Sequence, residues 1–221
     1  AGAQRRIGRF VLNLVAITSG KVGTGKSCVA AYTGIALSEG KKKTLLLELG
    51  AQRRSLAVIT AAPENAVFDI SDVLAGNCDP DKAVVQASYT DNLYLLPAPP
   101  GRYIPPKDPE KLIAIIRMLR KEFDYILLDG VDFNILPPRM FDTVLMVTTP
   151  DTLSVRACQE LADELRRSGV NQSTRGNPGT PGGKMRLVIN NVPAQVIPIH
   201  GAADFDDVIN LIGGQLIAVI P

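Results

Sequence analysis

A chain of 221 residues, 46% of them hydrophobic, is long enough to bury most of its apolar surface in one large domain. A net charge of +2 with 21% charged residues argues against both a dedicated nucleic-acid binder and an acidic solubilising protein. Cys28, Cys78 and Cys158 are far apart and lack CxxC or Cys/His spacing, which disfavours a disulfide framework or zinc site and fits a reducing, cytoplasmic setting.

In chain order, residues 1–8, with Gln4, Arg5 and Arg6, form a leader expected to be solvated and flexible. The apolar stretch at 10–18 is too short to span a bilayer and reads as a buried strand over 9–18. Glycines 20, 23 and 25 follow, and Lys26-Ser27 opens a predicted helix over 26–38. Further strands are expected at 44–49, 92–97, 124–129, 142–148, 185–190 and 215–220. Helices are expected at 54–60, 70–75, 108–122, 152–168 and 204–212.

The helix at 152–168 is the clearest, with Asp151 to cap it, Leu153, Cys158, Leu161 and Leu165 near helical spacing, and Gly169 to end it. The proline-rich piece 97–109 reads as a surface wrap, and the Gly/Pro/Ser/Thr-rich stretch 171–184 as a mobile loop. His200 is the sole histidine, which leaves zinc hydrolysis and a Ser-His-Asp triad without partners. Glu160 with Glu164 reads as a wet helix face, and Asp204, Asp206 and Asp207 as complements to a helix dipole. Apolar runs alternating with helical segments imply an α/β fold of three layers, a mostly parallel sheet with helices on both faces, in a single domain.

The chemistry concentrates where the first strand meets the first helix. Gly20-Lys21-Val22-Gly23-Thr24-Gly25-Lys26-Ser27 matches GxxxxGK[ST] between a strand and a helix, the context a phosphate-binding loop requires. Glycine admits backbone torsions that let loop N–H groups converge on phosphate oxygens, and the helix N-terminus adds about half a positive charge. Lys26 then reaches the β and γ phosphates and the Ser27 hydroxyl is placed for Mg2+, so ATP and Mg2+ are the expected cofactors. Tyr125-Ile126-Leu127-Leu128-Asp129 is an apolar strand ending in a carboxylate, as a Walker B aspartate beside the metal would be. Lys21 is not required by the simple motif and on chemistry alone is equally a solvated loop cation.

These residues resemble the deviant Walker A box of the MinD/ParA group, KGGxGK[ST], with Lys21 on the signature lysine. The likeness extends from about residue 9 to 221 and lies nearest to MinD. Glu64-Asn65-Ala66-Val67-Phe68-Asp69, Asp72-Val73-Leu74-Ala75-Gly76 and Asn92-Leu93-Tyr94-Leu95-Leu96-Pro97-Ala98 match in order and spacing. Thr148-Thr149-Pro150-Asp151 with Ser154-Val155-Arg156 resembles TTPExxSVRD.

The resemblance implies a switch that dimerises face to face around two ATP molecules, with Lys21 reaching the partner's phosphates and Lys26 its own. It implies nucleotide contacts from residues 20–27, Cys28 and Asn190, the last on the adenine-contacting asparagine, and a metal site from Ser27, Glu48 and Asp129. An asparagine at a loop start also serves to cap its own turn. In the family the ATP-bound dimer sits on membrane or DNA and a partner protein triggers hydrolysis.

Three departures qualify that expectation. Glu48-Leu49-Gly50 stands where the family carries Asp-x-Asp, so Gly50 replaces the aspartate thought to orient the attacking water. Asp129-Gly130-Val131-Asp132-Phe133 replaces DxPAG, and Val22 replaces a glycine. Binding is therefore expected to be better preserved than hydrolysis. The chain stops at Pro221, before the family's amphipathic membrane-targeting helix, so membrane association has no visible agent in the sequence. Competing readings are a non-hydrolysing nucleotide-bound scaffold and, with less support, a small-molecule kinase. The loop at 171–184 offers such a kinase only Arg175 and Lys184.

Overall fold

Strands that are apolar on every residue can be stable only when both faces of their sheet are covered, and the central strands here have that character. A computed structural model describes residues 13–49, 55–63, 66–99, 109–170, 184–193 and 205–221. In chain order the elements are β1 (Asn13–Thr18), α1 (Lys26–Glu39), β2 (Thr44–Glu48), α2 (Ser55–Ile59), α3 (Ile70–Ala75) and α4 (Pro80–Ala83). Then come β3 (Val85–Gln86), β4 (Leu93–Leu96), α5 (Pro109–Leu119), β5 (Tyr125–Asp129), a 3-10 turn (Pro138–Met140) and β6 (Thr143–Thr148). The last are α6 (Thr152–Arg167), β7 (Lys184–Ile189), α7 (Phe205–Ile212) and β8 (Gln215–Val219).

The eight strands form one sheet in the order β3-β4-β2-β5-β1-β6-β7-β8. Every pairing is parallel except β3 with β4, at one edge. Alternate side chains of each strand enter opposite layers. Leu45, Leu47, Ile126, Leu128, Val144 and Met146 face the layer with α5, α6 and α7. Ile17, Leu46, Leu127, Leu145 and Val147 face the layer with α1 and α2. The fold is thus the three-layer α/β arrangement of P-loop nucleotide-binding proteins.

The strong expectations hold to within a few residues, and the differences have local causes. The first strand and the helix after the proline-rich piece are described from Asn13 and Pro109, so their expected starts at 9 and 108 lie outside the described residues. The latter helix ends at Leu119, before the expected 122. Pro97 is buried, with its carbonyl accepting from Ile70 N–H at 3.0 Å, so the start of the expected surface wrap is interior; 100–108 are outside the described residues.

Leu153 is 69% exposed and is no part of the apolar stripe of α6. At about 100° per residue it lies roughly 140° around the helix from Cys158, while Val155, Cys158, Ala162 and Leu165 recur at three and four residues and are buried. Glu160 and Glu164 are exposed as expected, and Asp206 and Asp207 occupy the first turn of α7. The leader 1–8, Gly50, the loop 171–183, His200 and Asp204 are outside the described residues.

Candidate functional site

In an open parallel sheet the loops that leave the carboxyl ends of the strands share one rim, and ligands bind there near the point where strand order reverses. β1, flanked by β5 and β6, is that point, and the candidate residues gather around it. The glycine-rich loop leaves β1, Glu48 and Asp129 end β2 and β5 as register partners, and Asn190 follows β7.

Two glycines of the loop answer to different constraints. Gly20 runs against α6 so closely that a Cβ there would stand 2.1 Å from the Ala157 carbonyl oxygen. Gly25, the N-cap of α1, has φ of 87°, a left-handed torsion that favours glycine. Because Gly25 has no side chain, the first N–H groups of α1 have no side-chain cap, and its first turn holds no acidic residue. By contrast, α3 is closed by Asp69 in a capping box and α6 by Asp151. Of these three helix starts, that of α1 is left open for an anion.

Lys26 is half-buried and donates from Nζ to Ser19 Oγ at 3.0 Å, while Ser19 donates to the Lys21 carbonyl at 2.5 Å. Burial pulls the Lys26 ammonium below its ordinary value, with Asp129 opposing the shift. Ser27 Oγ donates to Asp129 Oδ2 at 2.6 Å, joining the start of α1 to the end of β5. Asp129 is raised by burial, against the Ser27 hydrogen bond and the Lys26 charge. Glu48 accepts at Oε1 from Ser55 Oγ at 3.0 Å and from Leu56 N–H at 3.4 Å. It too is raised, first by burial and also by Asp129, with Ser55 and Leu56 opposing.

Among the described residues, four buried side-chain polar atoms lack a partner, and three of them lie here: Thr24 Oγ1, Glu48 Oε2 and Asp129 Oδ1. Buried carboxylate oxygens without partners cost several kcal/mol unless a proton or cation meets them. A Mg2+ ion suits this donor set. It takes one or two protein ligands and completes its shell with water and phosphate, and among the described residues there is no cluster of three carboxylate, His or Cys groups that would make a self-sufficient cage.

Lys21 lies apart from this inner set. Its Nζ is 3.4 Å from Asp151 Oδ1, and both side chains are about half exposed. Asp151 also accepts from Ser154 N–H at 3.0 Å and Thr149 Oγ1 at 2.6 Å. The Ser154 hydroxyl first, then Thr149, the Ser154 N–H and Lys21, hold its carboxyl well below the usual range. Val22 is 71% exposed at the loop tip, and Cys28 is exposed on α1. Asn190, which the resemblance sets against adenine, donates its side-chain amide to the Thr24 carbonyl at 2.9 Å. The structure therefore brings together Lys26, Ser27, Glu48 and Asp129 below the loop, and Thr24, Gly25 and Asn190 on its flank.

Sequence reading assigned no site role to Ser19 or Ser55, and read Asp151 as a helix cap within the stretch that resembles TTPExxSVRD. A serine adjoining Gly20 was the available signal for Ser19. Ser55 and the ion-pair role of Asp151 depend on tertiary proximity that no local pattern carries.

The MinD septum site-determining protein of Helicobacter pylori is 31% identical over 217 residues, covering 94% of this chain and 77% of that protein. The chain belongs to the MinD/ParA family and within it most resembles MinD. The Synechocystis MinD is 28% identical over 214 residues, 94% of this chain and 75% of its own length. Among solved structures, the MinC:MinD cell division complex of Aquifex aeolicus superposes with a TM-score of 0.78 at 26% identity, covering 95% of this chain and 81% of that one. No protein-family model matches the chain. Membership makes it a relative of ATPases that act in spatial positioning. Among the described residues no helix is long and apolar enough to cross a membrane.

Proposed function

We propose that this chain is a nucleotide switch that holds Mg-ATP in residues 20–27, pairs with a second copy around the nucleotide, and takes part in placing the division septum or another cellular component. One observation carries the nucleotide reading: α1 alone among the helices compared above begins with an uncapped, left-handed glycine, directly beside a half-buried lysine and two carboxylates with unpartnered oxygens. Loop amides and Lys26 would take the β and γ phosphates, and Cys28 lies next along the helix. Ser27 Oγ and Asp129 would hold Mg2+, with Glu48 behind them; the ion would offset phosphate charge. Lys21, freed from Asp151, would reach the phosphates of the second copy as a trans cation.

The MinC:MinD complex of Aquifex aeolicus is a precedent for a protein partner, and an activating partner is part of the same reading. Cytoplasmic residence with peripheral membrane association goes with it.

Gly50 favours a second reading of the turnover step. With no carboxylate at that position to orient water, we propose that hydrolysis is weak, and in the limiting form that the protein is a nucleotide-bound scaffold. The test is titration of Mg-ATP alongside phosphate release for the wild-type chain, Lys26→Ala and Gly50→Asp. Wild type is expected to bind and to turn over slowly, and Lys26→Ala to lose affinity by roughly 10- to 100-fold. Gly50→Asp is expected to raise turnover by roughly tenfold or more. Family-like turnover in the wild type would reject the scaffold, and absence of binding would reject the switch.

A further inference from the structure

Each of the two carboxylates at the rim is held by a serine on one oxygen and left open on the other. Asp129 accepts from Ser27 Oγ at Oδ2, 2.6 Å, and its buried Oδ1 has no partner among the described residues. Glu48 accepts from Ser55 Oγ at Oε1, 3.0 Å, and its Oε2 is likewise buried without a partner. The two acids are register partners at the ends of neighbouring strands, β5 and β2. Orphaned carboxylate oxygens on adjacent strand ends call for a cation or the water around one.

Ser27 belongs to the phosphate-loop motif, whereas Ser55 belongs to no motif and yet stands in the same relation to its carboxylate. It opens α2, seven positions after Glu48. The next residue, Leu56, is fully buried in the layer of α1 and α2 and accepts from Thr60 N–H at 2.9 Å. Its own N–H donates to the same Oε1 at 3.4 Å. Packing thus fixes α2, and α2 presents two donors to one oxygen of Glu48. The terminal torsion of a glutamate is broad and roughly two-fold, so without such donors the carboxylate is free to turn. With Oε1 anchored, Oε2 is turned away from α2.

We propose that Ser55 is a positioning residue for the metal site, holding Glu48 by Oε1 so that Oε2 is presented to the water shell of the Mg2+ ion that Ser27 and Asp129 would hold. The inference rests on the nucleotide reading above for the presence of that ion. Partners one step removed from a metal set its affinity by roughly 10- to 100-fold. The Ser55 hydroxyl is given to Glu48 rather than to the phosphate loop, so its loss weakens the metal and spares metal-free nucleotide.

The experiment compares the full chain with Ser55→Ala and Ser55→Thr, each with and without Glu48→Gln. Water-proton relaxation reports protein-bound Mn2+, an oxygen-seeking stand-in for Mg2+, alone and with ATP present, and calorimetry measures ATP binding in EDTA. Ser55→Ala is expected to weaken Mn2+ by roughly tenfold, to leave ATP affinity in EDTA unchanged, and to add nothing on the Glu48→Gln background; Ser55→Thr restores the wild-type values. Unchanged Mn2+ affinity, a loss that persists with Glu48→Gln, or equal weakening of ATP with and without metal overturns the proposal, as does a wild type that binds ATP but no Mn2+. If the wild type binds Mn2+ but no ATP, and Ser55→Ala still weakens Mn2+, the nucleotide reading fails and the positioning role is upheld. Binding of neither overturns both. Melts in EDTA monitor folding, and Ser55→Gly replaces the alanine variant should that one not fold.

Discussion

Asp151 shows how much one carboxylate can be asked to do. It caps α6 through Ser154 N–H, accepts from Thr149, and sits 3.4 Å from Lys21. The cap is the energetic part: replacing an N-cap aspartate by alanine costs about 1 kcal/mol, whereas an ion pair half exposed to water adds little. A carboxyl whose folded value is depressed contributes stability above its unfolded value, near pH 4, and loses it as pH falls toward the folded one. Asp151→Ala is therefore expected to lower stability in urea titrations by about 1 kcal/mol at neutral pH, with the difference shrinking below about pH 4. A difference that persists unchanged into acid would show that the carboxylate charge is not what caps the helix. The cap was legible from sequence, as a strand followed by Asp and a helical stripe; the approach of Lys21 from 130 positions away was not.

At the scale of elements, the join of β1 to α1 depends on α6. The loop between them passes over the α6 backbone at Ala157, where Gly20 leaves no room for a methyl group. Unlike a flexible side-chain end, a helix backbone cannot move aside, so Gly20→Ala must shift the loop or the helix. The expected cost is about 1–3 kcal/mol of stability together with loss of ATP affinity, measured by a melt and a titration. A variant with normal stability and normal affinity would mean that α6 does not brace the loop. Element types were readable wherever an apolar run or a helical period had length to express itself, as in β2 for the first and α5 and α6 for the second. The four-residue α4 and two-residue β3 are shorter than any such period, and β3 exists only because β4 is beside it.

At the scale of the molecule, the proposed switch is a statement about two copies. The open end of α1 and the loop that carries Lys21 and Val22 share the rim at the carboxyl ends of the strands, so a nucleotide held there would stand between facing copies. Size measurement by light scattering is expected to give a monomer without nucleotide and a dimer with Mg-ATP, and a monomer throughout for Lys21→Ala. A wild-type monomer under every condition, with ATP bound, would reject the trans role of Lys21 and leave only a binding protein.

Local spacing was enough to specify the phosphate-loop motif, the parallel α/β class and the apolar strand ending at Asp129. The motif and the strand are each written within about ten consecutive residues, as a glycine pattern or an unbroken apolar run, and the class follows from the alternation of such runs with helical segments. The sheet order β3-β4-β2-β5-β1-β6-β7-β8, the register that seats Glu48 beside Asp129, and the reach of Asn190 to Thr24 were decided only by tertiary structure. Strands of similar apolar character can pair in several orders at similar local cost. Packing of both helical layers over the whole sheet selects among them and so determines which distant side chains meet at the rim.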